Sequence, residues 1–431
     1  IWIDHLAANG ITDILIDGLN ESETPLNEQR IESIVSRIKK RHLEMIRSFF
    51  VLEPKQKQVI RLMEPYFKKL KKLYLAILYS GEMTESLRSA IISFGERLAV
   101  VLFSRIMNEM GLETTPYFSD EIGIVKQRWN HQNCADLKQT RANLSRLLPE
   151  ISNGKIPVIT GYFAIYYNKR ISTFGRNGSD YSASVIAYAF EAEILEFWKD
   201  VPGFMSSDPT VVSQSKLIPE LSIDEAAELS YFGSGILHPR CLEPIRGTRT
   251  QIIIRSFLDP EAESTTIRLN PNPEKPYDRI RGVTFNQHIA VLKINGAGVG
   301  YKHGIIGNIG TLLSKKGINI YSIITSQTSI NLIIDQKDIE RSLRLLRSLK
   351  DPDPVIESIS CDRDLTLIAI VGRDIKEGKS LVKLINLLNQ LEINIEMISA
   401  GASDSAYYLL IKKQSFSSSI EHIHDAMVKV H

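Results

Sequence analysis

The chain has 431 residues, of which 43% are hydrophobic and 24% are charged, and 52 basic against 50 acidic residues leave a formal net charge of +2. This length is that of roughly two to four domains, and the composition is typical of globular proteins with buried cores. The near-neutral balance excludes a global electrostatic attraction to nucleic acid or to an anionic membrane, so we expect partners of neither kind.

The cysteines Cys134, Cys241 and Cys361 are odd in number and far apart in the sequence. Their spacing fits neither a disulfide framework nor a cysteine zinc site, which indicates a reducing compartment. No apolar run approaches the roughly 18 residues of a membrane-spanning helix. We therefore expect a cytoplasmic protein, or one of an organellar stroma after removal of a transit peptide. Because the chain opens on Ile1 rather than Met, we also expect that a segment upstream is missing.

Residues 27–150 are predicted to be mostly helical. Ile31, Ile34 and Ile38 recur at helical spacing, and the same pattern continues through residues 67–78. This region is therefore expected to supply amphipathic helices.

The next part of the chain alternates between strand and helix. Residues 155–160 form a short apolar run that ends at Gly161, which predicts a buried strand followed by a loop. A helix over residues 181–190 and a strand over residues 194–198 follow. This alternation predicts a mostly parallel sheet, with ligand-binding loops at the carboxyl ends of its strands.

Two loops, residues 170–179 and 199–209, are predicted to meet over one crevice at those strand ends. In the first loop, Gly175 and Gly178 permit a positive φ and a close approach of backbone N–H groups to an anion. A helix that begins near Ser179 adds the positive end of its dipole at the same point. A phosphate cradle and a plain tight turn both fit this spacing.

Residues 269–277, with three prolines, are predicted to be a linker, and a repeated pattern follows it. Each copy has a strand, a glycine-containing loop, an amphipathic helix and a second apolar strand, which is typical of a small βαββαβ unit. Asn319 and Asn394 hold equivalent places in the two copies. The predicted elements are residues 290–294, 305–314 and 317–324 in the first copy, and residues 367–371, 381–391 and 392–399 in the second.

Two further glycine-rich stretches lie in this repeated region. Residues 372–380 are one residue too long for a Walker loop, and residues 296–300 do not match the dinucleotide pattern. We assign neither stretch to a nucleotide.

Five sequence blocks in a fixed order resemble those of the aspartate kinases, which are amino-acid kinases with two C-terminal ACT domains. The blocks are residues 10–13, 93–97, 173–183, 198–209 and 226–240. The resemblance implies an α/β protein, with a three-layer amino-acid-kinase sheet domain followed by two ferredoxin-like βαββαβ ACT domains. The implied spans are a catalytic domain over 1–265 that lacks its first β-α unit, a linker over 266–285, and ACT domains over 286–360 and 361–431.

The resemblance implies transfer of the ATP γ-phosphate to the β-carboxylate of L-aspartate, which gives 4-phospho-L-aspartate, the first step of lysine, threonine and methionine biosynthesis. ATP and Mg²⁺ are the implied cofactors. Lysine or threonine is the implied effector of the ACT domains, and a homodimer or homotetramer formed through those domains is the implied assembly. A carboxylate nucleophile needs no general base, so catalysis consists of holding two anions in line and neutralising charge on the phosphoryl group.

Carried over residue by residue, the family pattern assigns a role to each matching side chain. Glu96 would bind the substrate ammonium and Arg176 a substrate carboxylate, while Thr12 and Ser93 would supply hydroxyl contacts. Asp180 would orient the catalytic lysine or the metal-bound phosphates. The implied ATP-binding residues are Gly175, Gly178, Ser179, Lys199, Asp200, Met205, Asp208 and Pro209, and the implied effector contacts are Asn319 and Asn394.

The chain also departs from the family pattern. The glycine loop with the catalytic lysine that opens the family is absent, Leu6 replaces a serine, and Gly235 stands where many members have a lysine. These departures leave an alternative open, a catalytically weak regulatory or scaffold subunit that retains the fold. Each of three residues also has a purely structural interpretation: Glu96 in a helix surface pair, Asp180 as the cap of its helix, and Asp208 at the start of a turn.

Overall fold

The computed structural model describes residues 2–4, 10–20, 25–127, 133–232, 235–269, 280–350, 355–373, 375 and 378–428. The chain divides into two compact units. The first consists of Ile1–Phe197 and Leu237–Ile253, and the second of Trp198–Ile236 and Ile254–His431. Each unit has hydrophobic cores of its own. Leu6, where the sequence departs from the family, lies outside the described residues.

The first unit combines long helices with a parallel sheet and a β-hairpin. Its elements in chain order are β1 (Trp2–Asp4), α1 (Ile11–Asp17), α2 (Glu28–Phe49), α3 (Glu53–Ser80), α4 (Glu85–Ile92), α5 (Phe94–Glu109), β2 (Thr114–Tyr117), α6 (Ser119–Ile122), α7 (Leu137–Leu144), α8 (Leu148–Ser152), β3 (Ile156–Thr160), β4 (Phe163–Ile165), β5 (Ile171–Thr173), α9 (Gly178–Ala189) and the start of β6 (Ile194–Lys199). The helical prediction for residues 27–150 is confirmed over most of that range and is wrong at β2. None of the helices in the described ranges has the length and apolarity needed to cross a membrane.

Helices α2 and α3 pack side by side and support the helices that follow them. Asn27 caps α2, because its Oδ1 accepts a hydrogen bond from Arg30 N at 2.8 Å. The apolar stripe read from the sequence is buried, and Ile31 and Ile38 are completely inaccessible. Burial of such a side chain contributes about 1.5–3 kcal/mol. Since α3 also packs on α4 and α5, the pair fixes the helix that carries Glu96.

Strand β3 is the centre of a three-stranded parallel sheet with the order β1-β3-β2. Val158 in β3 pairs with Trp2 on one side and with Pro116 on the other. At the carboxyl end of β3, the Thr160 hydroxyl oxygen accepts a hydrogen bond from Ser119 N at 2.8 Å. The predicted strand over residues 155–160 is thus confirmed, and its end leads directly into the hairpin β4–β5.

The second unit contains the rest of the sheet structure. Its elements in chain order are β7 (Glu220–Ser222), α10 (Ile223–Phe232), β8 (Gln251–Ser256, which begins in the first unit), β9 (Thr265–Arg268), β10 (Ile280–Asn286), β11 (Ile289–Asn295), α11 (Ile305–Ser314), β12 (Ile320–Thr325), β13 (Ser329–Asp335), α12 (Ile339–Lys350), β14 (Ser358–Asp362), β15 (Leu365–Gly372), α13 (Lys379–Gln390), β16 (Met397–Ser399), β17 (Ala406–Lys412) and α14 (Phe416–Met427). Strands β6 to β9 form a sheet of order β6-β8-β9-β7, so α9 connects the β4–β5 hairpin to a different sheet.

The two predicted repeats have the same architecture. Their sheets have the orders β12-β13-β11-β14 and β16-β17-β15-β10, so corresponding strands occupy corresponding positions. The edge strand of the second sheet, β10, precedes the first repeat in the sequence and pairs antiparallel with β15, with Val283 opposite Ile370. The range 266–285 is therefore not only a linker, because it contains most of β9 and β10, and residues 270–279 lie outside the described residues.

Candidate active site

The glycine-rich turn that the sequence singled out joins β5 to α9 in the first unit. The strand end is held in place, because Phe174 N donates a hydrogen bond to Tyr162 O at 2.8 Å. Gly175 then takes a φ of 81°, in the left-handed region where glycine is favoured. Asn177 also has a positive φ, of 56°, and α9 begins at Gly178, one residue before the predicted start. We call residues 174–180 the α9 turn.

Gly178 serves close packing, not the positive φ that the sequence allowed for it. It is the first residue of α9, and Asn177 supplies the left-handed conformation instead. A Cβ atom on Gly178 would lie 3.0 Å from Tyr162 Cδ2 and 3.1 Å from Phe174 Cβ. A larger residue would push α9 away from the end of β3.

Two carboxylates far apart in the sequence are buried at the start of α9. Glu96 on α5 is 6% exposed, and its Oε1 lies 3.5 Å from the Ser179 hydroxyl oxygen. Asp180 in the first turn of α9 is 2% exposed. An ionised carboxylate is costly to bury unless it is compensated, and the helix N-terminus stabilises negative charge nearby. The reading of Glu96 as an ordinary surface pair is therefore wrong, and the N-cap residue of α9 is Asn177 and not Asp180.

Cationic groups accompany these carboxylates. Arg176 is exposed on the α9 turn. Burial lowers the pKa of His238, and the positive charge of Arg240 lowers it further. The negative charge of Asp180 raises this pKa, and the positive charge of Arg176 lowers it. His238 Nδ1 accepts a hydrogen bond from Arg240 N at 3.2 Å and so caps a short 3₁₀ helix, which is a structural role.

The two predicted hydroxyl contacts, Thr12 and Ser93, differ in their burial and in their hydrogen bonds. Ser93 is fully buried between α4 and α5, where its hydroxyl donates to Ala90 O at 2.6 Å and accepts from Arg97 Nε at 3.1 Å. Arg97 in turn pairs with Asp120 at 2.7 Å. Ser93 therefore orients Arg97 in this structure. Thr12 is half-buried on α1, which packs against α4 and α5.

Tyr162 is a site residue that the sequence did not reveal. It lies two residues after the end of β3 and has a φ of 70°, which is strained for a residue with a side chain. Its N–H donates to Ser182 Oγ at 3.0 Å, and its carbonyl accepts from the α9 turn. Burial raises the pKa of its hydroxyl, and the charge of Glu96 raises it further. Only its place after a predicted strand could have indicated this residue.

The predicted ATP-binding loop, residues 199–209, belongs to the second unit. Met205 pairs with Leu217 in an isolated bridge, and the carbonyl of Lys199 accepts from Phe257 N at 2.9 Å. Asp208 Oδ1 accepts a hydrogen bond from Thr210 N at 2.8 Å, so this carboxylate stabilises a turn, in agreement with its structural interpretation. Asp200 and Pro209 are exposed.

The two asparagines proposed as effector contacts are both exposed. Asn319 precedes β12, and its side-chain nitrogen lies 3.5 Å from the hydroxyl of Tyr231 on α10. Asn394 precedes β16 in the equivalent place of the second repeat. The residues thus retain the correspondence that the sequence predicted, in two sheets of the same strand order.

No group of three or more His, Cys, Asp or Glu side chains in the described ranges is arranged to hold a metal ion. Mg²⁺ usually keeps several waters and is held through one or two carboxylates together with substrate phosphates. The donor set of the α9 turn, with the single buried carboxylate Asp180, fits an ion delivered with a nucleotide.

These features, two buried carboxylates at the start of a helix beside a parallel strand, followed by two βαββαβ repeats, define an α/β protein with a candidate ligand-binding domain and a C-terminal repeat module. Residues 7–256 match the amino acid kinase family, and residues 292–348 match the ACT domain. The chain belongs to the amino acid kinase family. The expected resemblance to aspartate kinases is confirmed by the relatives described next.

The relatives are named as aspartokinases. A bifunctional aspartokinase/homoserine dehydrogenase of Buchnera aphidicola is 29% identical over 394 residues, which are 89% of this chain and 48% of that protein. Aspartokinase 2 of Bacillus subtilis is 27% identical over 357 residues, with 82% of this chain and 85% of that protein covered. The chain spans about half the length of the Buchnera protein, and 68% and 64% of two chloroplastic aspartokinases of Arabidopsis thaliana.

Solved structures share the fold. Aspartokinase III of Escherichia coli in complex with aspartate and ADP has a TM-score of 0.77 at 24% identity, with 98% of this chain and 91% of that chain covered. Aspartate kinase of Clostridium acetobutylicum has a TM-score of 0.74 at 22% identity, with 97% and 88% covered. The predicted fold class, an amino-acid-kinase domain with C-terminal ACT domains, is thus confirmed.

Proposed function

We propose that the protein transfers the γ-phosphate of ATP to the β-carboxylate of L-aspartate, which yields 4-phospho-L-aspartate and ADP. The observation that carries the proposal is the buried cluster at the start of α9, where Glu96 approaches Ser179 and Asp180 follows in the first helical turn. The names of the relatives and the ADP and aspartate in the E. coli structure supply the substrate class.

Aspartate carries one ammonium and two carboxylates, and the cluster offers complementary charges. Glu96 is a buried anion and would accept hydrogen bonds from the ammonium. Arg176 is an exposed cation on the same turn, and its planar fork suits a carboxylate. Together they would leave the second carboxylate directed at the phosphoryl group, with Thr12 as an additional hydroxyl contact. Because the nucleophile is already an anion, no general base is required.

The nucleotide phosphates would bind to the backbone of the α9 turn. Positive φ values at Gly175 and Asn177 favour a concave row of N–H groups, and the helix dipole of α9 adds to it. We infer that the loop with Lys199, Asp200, Met205, Asp208 and Pro209 binds adenine and ribose. Mg²⁺ bound to the phosphates would neutralise charge on the transferring group, and Asp180 would accept hydrogen bonds from its water ligands.

The C-terminal repeats are proposed to regulate this activity. They would bind an amino-acid effector such as lysine or threonine through Asn319 and Asn394, and their sheet edges would pair with a second copy in a homodimer or homotetramer. We propose the sequence-derived spans 286–360 and 361–431 for these domains, with β10 added to the second. The reaction would begin the synthesis of lysine, threonine and methionine in a reducing, cytoplasm-like compartment.

Trapping with hydroxylamine tests the proposed reaction, because an acyl phosphate reacts to a hydroxamate whereas ADP and phosphate do not. We expect hydroxamate and ADP in equal amounts when ATP, Mg²⁺ and L-aspartate are all present, and neither product when L-asparagine replaces aspartate. ADP formation without hydroxamate would show that aspartate is not the acceptor. Absence of both products, with aspartate and ATP still bound, would support the alternative of a regulatory or scaffold subunit.

A further inference from the structure

Lys126 is a buried lysine that neither the sequence nor the proposed reaction accounts for. It is 2% exposed, and its backbone is held by a bridge to Ala135 and by a hydrogen bond from its N–H to Ile165 O at 2.7 Å. Its ammonium nitrogen donates to Ser172 Oγ at 2.7 Å and to Thr173 O at 2.6 Å. The same nitrogen lies 5.3 Å from the centroid of the Tyr166 ring. The Lys126 side chain is thus hydrogen-bonded to the end of β5.

Arg240 reaches the next carbonyl of the chain from a different segment. Its Nη1 donates to Phe174 O at 3.0 Å, and its Nη2 donates to Asn133 O. The guanidinium carbon lies 4.1 Å from the centroid of the Tyr181 ring on α9, a cation–π contact. The hydrogen bond from Arg240 N to His238 Nδ1 caps the 3₁₀ helix that carries this side chain.

Two cations from separate parts of the first unit therefore hold two successive carbonyls, those of Thr173 and Phe174. Gly175 follows immediately with its left-handed φ. Hydrogen bonds from charged donors are about twice as strong as those between neutral groups. The peptide planes at the entrance of the α9 turn are thus held by two side chains that come from outside the turn.

The contacts of Lys126 argue against a simple charge-pairing role. The groups it touches directly, a hydroxyl, a carbonyl and an aromatic ring, are all neutral. Burial lowers the pKa of Lys126, so its charge is costly in this position. A neutral side chain of the same size would fill this space at a lower cost, which indicates that the donors themselves are used.

We propose that Lys126 and Arg240 are positioning residues that fix the α9 turn in the conformation that receives anionic reactants. The proposal rests on the function proposed above for that turn. Neither residue is required to touch a substrate. Their role is to keep Arg176 and the backbone N–H groups of the turn in place, and a misplacement of about 1 Å can reduce a rate on the order of 100-fold.

Hydrogen–deuterium exchange tests the physical part of this proposal without any activity. We compare the wild type with Lys126→Met, which keeps the volume but removes the donors, and with Arg240→Met. Exchange of the amides of residues 175–181 should become at least about tenfold faster in both variants, while exchange in α2 and α3 stays the same. Lys155→Met is the matched control, because Lys155 is 40% exposed and pairs only loosely with Glu113 and Glu150. Unchanged exchange in the turn would overturn the proposal.

Steady-state kinetics test the functional part. We expect Lys126→Met to lower kcat and to raise the KM for aspartate, with a loss in kcat/KM of about 10- to 100-fold per folded molecule. Arg240→Lys, which retains a charged donor, should recover part of the loss of Arg240→Met. If the variants melt earlier but keep the wild-type kcat and KM, the two residues are merely structural and the proposal is wrong.

The two proposals fail in distinguishable ways. A wild type that produces no hydroxamate contradicts the proposed function, and the exchange comparison still decides whether the two cations fix the turn. An active wild type whose kinetics do not respond to Lys126→Met contradicts only the positioning role. If Lys126→Met does not fold, Arg240→Met and Arg240→Lys carry both tests alone.

Discussion

Two glycine-rich connections between a strand and a helix, the α9 turn and the loop between β11 and α11, differ in what their glycines do. In the α9 turn, Gly175 uses its positive φ, and the helix then begins with the buried polar residues Ser179 and Asp180. In the loop between β11 and α11, a Cβ atom on Gly296 or on Gly300 would lie only 1.8 Å from a backbone carbonyl oxygen. Gly296 and Gly300 therefore allow close packing, while Gly298 between them has a positive φ of 84°.

The helix that follows each loop shows the same difference. α11 opens with the buried apolar residue Ile305, whereas α9 opens with hydroxyl and carboxylate side chains near Glu96. Glycine spacing alone does not separate a ligand turn from a packing turn. The polarity of the first helical turn, together with charged groups brought from elsewhere in the chain, does separate them.

The largest expected effect comes from removing the buried charge beside the α9 turn. Glu96→Gln keeps the shape but loses the anion that would hold the substrate ammonium. Loss of one member of a buried charged pair costs about 2–5 kcal/mol, so we expect kcat/KM for aspartate to fall on the order of 100-fold or more. Initial rates of hydroxamate formation measure this loss.

Glu113→Gln is the matched control for that variant, since the Glu113 side chain is 71% exposed and lies on the surface of the same unit. Its kinetics should equal those of the wild type. Equal kinetics for Glu96→Gln as well would remove the functional distinction between the α9 turn and the α11 loop.

Two glycine substitutions test whether the two loops differ as described. Gly300→Ala places a methyl group against Ser326 O, and overpacking of this kind costs about 1–3 kcal/mol of stability. We expect a lower Tm for the second unit by calorimetry. The kinetics of the remaining folded protein at low temperature should stay close to those of the wild type.

Gly175→Ala should have the opposite signature. A left-handed conformation costs a residue with a side chain about 1–2 kcal/mol, and among the described residues a Cβ here meets only Asn133 Nδ2, at 3.4 Å. The turn would relieve this strain by moving, so we expect about a tenfold fall in kcat/KM with little change in Tm. Stability losses without kinetic losses in this variant would mean that both loops are packing turns.

The smallest expected effect is a pH dependence of stability, which arises in the core of the first unit and not in its candidate site. His42 on α2 is buried, and burial lowers its pKa from the usual value near 6.5. The unfolded chain then binds the proton more readily than the folded protein. The free energy of unfolding is therefore highest above about pH 6.5 and decreases as the pH falls toward the folded-state pKa, by at most about 1.4 kcal/mol per pH unit. His42→Leu should flatten this dependence in denaturant titrations at pH 7 and pH 5, without altering aspartate kinetics at pH 7.

Much of this organisation could be predicted from the sequence. Periodicity identified α2, α3 and α11, and apolar runs identified β3 and β15. The strand β2 was missed because residues 114–117 are short and include a proline, and β10 was missed because it pairs with a strand far away in the sequence. Local patterns report which residues prefer a strand, whereas pairing partners depend on tertiary structure.

The candidate site was predictable only in part. Gly175, Asp180 and Glu96 stood in recognisable blocks, and the structure brings Glu96 to Ser179. Tyr162, Lys126 and Arg240 gave no comparable signal, because a strained φ and a hydrogen bond to a carbonyl depend on the fold and not on the residue type. Ser93 also stood in a recognisable block, and its hydroxyl accepts a hydrogen bond from Arg97, while its role as a substrate contact stays a prediction.

A crystal structure with L-aspartate and a non-hydrolysable ATP analogue tests the central claim most directly. Our account predicts the aspartate ammonium at Glu96, one carboxylate at Arg176, and the analogue's phosphates against the backbone of residues 175–179. Density for both ligands away from the α9 turn, or an α9 turn filled by its own side chains while aspartate binds only to the C-terminal repeats, would contradict it.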